Sequence, residues 1–198
     1  MTQPAAAKPF SIATYAGTPF HDPHVIPGRL LFALFDRGGE GVGHHNQDNV
    51  NHGSGELNKG PEEKNHFREY DGISTSYTKA AFDKFKDATI LPLDMHYVGW
   101  TFPGQWLNYT VSVKAAGTYT LSALISSRNQ DAAISFAVDG FDSTGPIAVP
   151  TTGDWHAWQQ LDCFARMKLP AGRHVITVHI VRDGNMNLLH LDFVAEDA

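Results

Sequence analysis

Four polar residues follow one another closely in Gly41-Val-Gly-His-His-Asn46 and its continuation: His44, His45, Asn46 and Asp48, with His52 just beyond. Nitrogen and oxygen donors at this density suit contacts to a hydroxylated ligand, but their spacing matches no standard zinc motif. Asp36, Glu40, Asp48, Glu69 and Asp71 could supply the pair of facing carboxylates that glycoside hydrolysis needs, a separation that only folding can set. Cys163 is the one cysteine, so no intrachain disulfide forms. It is expected as a small buried hydrophobe in a strand through Leu161-Asp-Cys-Phe-Ala-Arg-Met167. No motif joins it to a His and an acid as a nucleophile would require, and there is no nucleophile elbow, phosphate-cradling glycine loop or metalloprotease helix. Trp155 follows the turn residues Thr152-Gly-Asp154, and Asn187 can cap a turn. Trp158 is expected in the core. Of Trp100 and Trp106, which flank Pro103-Gly104, one is expected in the core and the other on a surface.

These residues need a frame to hold them, and the pattern from Tyr97 onward supplies one. Leu107, Tyr109, Val111 and Val113 alternate with polar partners, as do Tyr119, Leu121, Ala123 and Ile125, across a join at Lys114-Ala-Ala-Gly117. Period-two alternation puts one face of each strand inside and the other in water, which suits an antiparallel sheet in a sandwich. Ile134, Phe136 and Val138 run into the hairpin signal Asp139-Gly140, and Leu189, Leu191 and Phe193 share a face of the closing strand. Leu30 to Phe35 is a continuous apolar run, read as a strand buried on both sides. Val42 to Asn58 reads as a long polar loop and Lys59 to Phe67 as a mobile charged continuation. Tyr77, Ala80, Ala81 and Phe85 recur at helical spacing behind a Ser76 cap, predicting one short inserted helix over 76–87. The fold class is therefore all-β, a β-sandwich jelly roll with one short inserted helix. Residues 1–24 are expected as an N-terminal tail and lead-in, and 25–198 as the sandwich. The 198 residues suffice for one such domain with a full core. A net charge of −6 argues against nucleic acid and anionic membrane surfaces as partners. No apolar run is long enough for a membrane-spanning helix, and Met1 to Lys8 lacks the basic start and apolar core of a signal peptide.

Several segments, in this order, resemble carbohydrate-binding module family 6. They are Ile26-Pro-Gly28, Asp36-Arg-Gly-Gly-Glu-Gly-Val42, Gly99-Trp-Thr-Phe-Pro-Gly-Gln-Trp-Leu-Asn-Tyr-Thr-Val111, Ala116-Gly-Thr-Tyr-Thr-Leu121, Val138-Asp-Gly140, Val149-Pro-Thr-Thr-Gly-Asp-Trp-His-Ala-Trp158, Leu169-Pro-Ala-Gly-Arg-His174 and Asn187-Leu188. The resemblance implies a jelly-roll sandwich that binds glycans without cleaving them, usually appended to secreted polysaccharide-degrading enzymes. The expected partners are then a polysaccharide or oligosaccharide and a glycan-degrading enzyme to which the module is tethered. The expected location is secreted or periplasmic.

It also implies a loop-end cleft in which an aromatic pair grips a pyranose and an Asn bonds its hydroxyls. Carried over, Trp155 is the platform, Asn187 the hydroxyl reader and His44 the opposing ring, where the family has a Tyr. His45, Asn46 and Asp48 add polar contacts. The family's structural calcium is expected to be missing, because Leu31, Ala33 and Leu189 stand at the ligand positions and offer no side-chain oxygen. No other cofactor is implied. Two insertions, roughly 54–67 and 75–96, adjoin the proposed cleft. The alternatives are a structural or protein-interaction sandwich that has lost the cleft, and a small glycan-acting enzyme built on the His/Asp loop.

Overall fold

The computed structural model describes residues 10–86 and 93–196. Two sheets pack face to face. The first contains β1 (His24–Ile26), β3 (His44–His45), β7 (Trp106–Val113), β9 (Ala132–Val138), β10 (Phe141–Asp142), β11 (Ile147–Val149) and β13 (Gly172–Arg182). Its order is β1-β7-β13-β9-β10, with β3 sharing the outer edge of β7 and β11 that of β9. The second contains β2 (Gly28–Leu31), β4 (Thr75–Tyr77), β5 (Lys84–Phe85), β6 (His96–Val98), β8 (Gly117–Ser127), β12 (Ala157–Leu169) and β14 (Met186–Ala195), in the order β4-β6-β14-β8-β12-β5 with β2 beside β14. The long strands β7, β8, β9, β12, β13 and β14 alternate between the sheets, the winding of a jelly roll.

The alternation in the sequence produces the core. Leu107, Tyr109 and Val111 of β7 join Phe136 of β9 and Ile176 and Val178 of β13; against them lie Tyr119, Leu121, Ala123 and Ile125 of β8. Asp139 and Gly140 both take positive φ, 49° and 81°, and close the β9–β10 hairpin with Val138 opposite Phe141. That is the backbone a two-residue turn needs to match strand twist. Trp158 is fully buried, as expected.

Tertiary packing overrides the local reading at five places in and around the strands. β7 is buried on both faces, because Asp36 lies over it: its carboxylate accepts from Thr110 N at 2.9 Å and Thr110 Oγ1 at 2.6 Å. The Leu30–Phe35 run is a strand only to Leu31, then turns through a 3₁₀ segment, Phe32–Leu34. A register shift between Leu188 and His190 moves Leu189 off the inner face; it packs instead with Tyr97, Leu124 and Trp158. Cys163 is exposed rather than buried, carried outward at φ 50° by the irregularity between Leu161 and Ala165. The helix expected from Ser76 onward is absent from the described part of that stretch, which forms β4, a turn and β5; Asp87 lies outside the described residues. β4 pairs with β6, and β5 runs parallel to the start of β12, where Phe85 stacks on Trp158 at 6.0 Å. A helix of about a dozen residues is marginal by itself, so these ladders win.

The polar stretch before β4 folds into a cap rather than a mobile loop. Asn51 Oδ1 accepts from the backbone N–H of Gly53, Ser54 and Thr75, and its Nδ2 donates to Arg68 O and Thr75 Oγ1. Arg68 fastens the cap to the sandwich. Its buried guanidinium donates to the carbonyls of Ala33, Phe35 and Asp36, pairs with Asp71 at 2.5 Å and lies 3.2 Å over the Phe35 ring. Burial lowers its pKa to about 10, against the pull of Asp71. The lead-in is held too: Thr18 and Arg37 exchange backbone hydrogen bonds, and Phe10 N donates to Asp139 O.

Candidate functional site

A cavity of about 690 Å³ opens at one end of the second sheet. β4 contributes Ser76 and Tyr77, β6 contributes Tyr97, and the turn after β6 contributes Trp100. The turn before β12 adds Trp155 and His156, and the entry to β14 adds Asn185 and Asn187. The cap supplies the facing wall, including Leu57, Asn58, Lys59 and Glu62, and the β4–β5 turn adds Lys79 and Phe82. The two insertions thus form part of this cavity, which combines aromatic surface with a few fixed polar groups, the usual make-up of a small-molecule site.

Trp155 and Asn187 come together here. Asn187 Nδ2 donates to the main-chain carbonyl of Trp155 at 2.6 Å, and Ser126 Oγ donates to the same carbonyl at 2.5 Å. The turn is therefore pinned to the sheet from two strands. Gly99 makes room for the Asn187 amide: a Cβ there would stand 2.6 Å from Asn187 Oδ1. Arg128 lies 5.2 Å from the Trp155 ring centroid, and the indole Nε1 is buried with no hydrogen-bond partner among the described residues. Behind this wall the buried Asp83 carboxylate accepts from Trp158 Nε1 at 2.6 Å and holds His156 Nδ1 at 3.1 Å.

The other four candidates lie elsewhere. β3 pairs with β7 in the first sheet, whereas the strands of the cavity belong to the second. His44 is 1% exposed and packs edge-on against Phe35 at 5.4 Å, so it offers no face to a ligand. Burial lowers its pKa, and the ring is a neutral core group. His45 pairs with Glu40 and tilts toward Trp106. Asn46 is buried, donating to Gly72 O at 2.7 Å and Asp48 Oδ1 at 3.2 Å. Asp48 accepts from Val50 N and binds His52 at 2.7 Å. These residues organise the loop; none lines the cavity.

Trp100 shares the cavity with Trp155 and Asn187, as do Tyr77, Phe82 and Tyr97. Its signal was legible: a Trp in a turn directly after a strand, held here at φ 49°. Tyr77, Lys79 and Phe82 were obscured because their stretch reads as a helix through Tyr77, Ala80, Ala81 and Phe85. The carboxylates considered for hydrolysis are otherwise engaged, Asp36 with Thr110, Asp71 with Arg68 and Glu69 with His66. Among the described residues the cavity lining holds a single carboxylate, Glu62.

The sequence model of the carbohydrate-binding module (family 6) matches residues 66–195. The chain belongs to that family. Among solved structures, a β-1,3-glucan-binding family 6 module from Bacillus halodurans superposes with a TM-score of 0.57 at 16% identity, covering 88% of this chain and 100% of that one. A family 6 module from Clostridium stercorarium, solved with cellobiose, gives 0.57 at 12% identity, with 89% and 99% covered. At these identities the likeness speaks to the fold. A comparison with curated protein sequences finds no match. The match begins at residue 66, so the Leu57–Glu62 wall of the cavity precedes it.

Leu31, Ala33 and Leu189, which the resemblance sets at calcium positions, offer no side-chain oxygen to that ion. Calcium takes about six to eight oxygen ligands. Leu189 is buried in the Tyr97, Leu124 and Trp158 cluster, Ala33 is buried, and the Ala33 carbonyl already accepts from Arg68. Among the described residues no cluster of three or more His, Cys, Asp or Glu side chains could hold a metal.

Proposed function

We propose that this family 6 module binds a carbohydrate in the Trp155 cavity and does not cleave it. The observation that carries the reading is that Trp155 and Asn187, 32 positions apart in sequence, are hydrogen-bonded into one wall of the aromatic-lined cavity. One face of a pyranose is a sheet of C–H groups, so Trp155 and Trp100 can remove it from water while Asn187 and Asn185 meet its rim hydroxyls. Non-catalytic action agrees with the lining: Glu62 has no carboxylate facing it there and lies 3.6 Å from Lys64 Nζ. Monovalent affinity is expected at about −4 to −8 kcal/mol, from mM to μM. Tethering to a glycan-degrading enzyme would then add avidity on a polymer.

The test is binding of wild type and Trp155→Ala to a panel of soluble and insoluble polysaccharides, with circular dichroism to check the fold. Binding that the variant loses supports the reading. A folded wild type that binds nothing on the panel overturns it in favour of the interaction domain, for which the exposed rim residues Leu57 and Phe82 are the surface to examine.

A further inference from the structure

The cavity wall carries an ammonium group without an anion. Lys79 Nζ is 2.7 Å from Asn58 Oδ1 and 3.5 Å from Ser76 Oγ, and it stands 4.2 Å from the centroid of the Tyr77 ring. Among the described residues no carboxylate lies within 4.0 Å of it. Asp83, the nearest in sequence, accepts from the Lys79 backbone N–H at 2.5 Å and spends its other oxygen on Trp158 and His156. The one carboxylate of the lining, Glu62, is taken by Lys64, which also holds Asp94 at 2.8 Å. Lys59 adds a second positive charge on the same wall. The lining is thus basic within a chain of net charge −6. Partial burial lowers the pKa of Lys79 against the more distant pull of Asp83, the mark of a cation short of solvent.

We propose that the glycan of this cavity is anionic, with a carboxylate or sulfate group received by Lys79 Nζ beside the Trp155 platform. This rests on the carbohydrate-binding reading above. A neutral hydroxyl satisfies one ammonium donor, but only an anion compensates the charge, and charge-assisted hydrogen bonds are about twice as strong as neutral ones. Asn58, Ser76 and Tyr77 fix the Lys79 head, so the selectivity is built into the wall rather than supplied by a loose surface lysine.

The test is calorimetric titration of the full chain with matched pairs: xylo-oligosaccharides with and without glucuronate branches, and carrageenan oligosaccharides before and after desulfation. The anionic member of at least one pair should bind about tenfold tighter at low salt, and raising NaCl to about 0.5 M should shrink that advantage. The pair that shows it tells carboxylate from sulfate. Lys79→Met should abolish the preference and Lys79→Arg retain it. Lys114→Met, in the turn at the other end of β7 and β8, should leave it unchanged. Equal or tighter binding of the neutral members overturns this inference and leaves the sugar site standing. So does a preference that survives in folded Lys79→Met. A wild type that binds no member of these pairs and nothing on the wider panel overturns the sugar site and this inference with it.

Discussion

Asn187 gives its side-chain amide N–H to the backbone of Trp155, at 2.6 Å, and so ties the entry of β14 to the turn that presents the indole. Asn187 is 7% exposed, which leaves Oδ1 as its free polar atom. It positions Trp155, and under the proposed carbohydrate reading Oδ1 is the atom left to accept from a hydroxyl.

Asn187→Ala should weaken glycan binding by about 1–2 kcal/mol, roughly 5- to 30-fold, through loss of that hydrogen bond and of the turn's position. The fold should persist, because Ser126 still holds the Trp155 carbonyl. Gly99→Ala should act in the same direction, since its methyl group would displace the Asn187 amide. Titration calorimetry beside a melting curve checks both; unchanged affinity in folded Asn187→Ala would remove the residue from the site.

Arg68→Met should cost about 3 kcal/mol of stability, because three backbone carbonyls lose their charged donor in a buried place. Asp71, 39% exposed at its side chain, rehydrates and adds little to the loss. Urea unfolding measures it, and a loss under 1 kcal/mol would show that the cap is held by something else.

Acid should destabilise the fold before the carboxylates titrate. Burial lowers the pKa values of His24, His44, His96, His179 and His190, the last to about 4. Between that value and the ordinary 6.5 of the unfolded chain, the unfolded state binds more protons, so stability falls as pH falls. His190 alone should lose on the order of 3 kcal/mol across that window. His52 and His66 are raised by Asp48 and Glu69 and act in the opposite sense, but both are solvent-screened. Unfolding free energy measured from pH 7 to 4 should decline, and His190→Gln should flatten the slope. A flat wild-type profile would refute the assignment of these rings as buried and neutral.

Chelation should not matter. Dialysis against EDTA is expected to leave the melting temperature unchanged, and millimolar calcium should not raise it, because the positions that would bind the ion are Leu31, Ala33 and Leu189. A drop of several degrees on chelation would point to a metal site built from other residues.

Cys163 should react stoichiometrically with a thiol reagent in the native state, since it is exposed at the bulge in β12. Cys163→Gly should raise stability slightly, because φ 50° costs a glycine little. Protection of the thiol in folded protein would contradict the bulge geometry.

The sequence by itself determined the sandwich, its long strands, the Asp139-Gly140 hairpin and the pairing of Trp155 with Asn187 as site residues to consider. Those depend on period-two alternation, turn chemistry and ordered motifs, which are local properties. Only the tertiary structure decided which polar residues line the cavity. His44 and Asn46 have ligand-like side chains, but β3 adds to the first sheet and turns them inward. Tyr77, Ala80, Ala81 and Phe85 have helical spacing, yet pairing of β4 with β6 and of β5 with β12 extends the stretch and brings Tyr77, Lys79 and Phe82 into the cavity lining. Leu189 and Cys163 changed faces for the same kind of reason: one irregularity in a ladder shifts alternation by one residue, and nothing in the local sequence marks where it falls. Burial of a polar side chain is set by what packs over it, here Phe35 on His44 and the Gly72 carbonyl on Asn46.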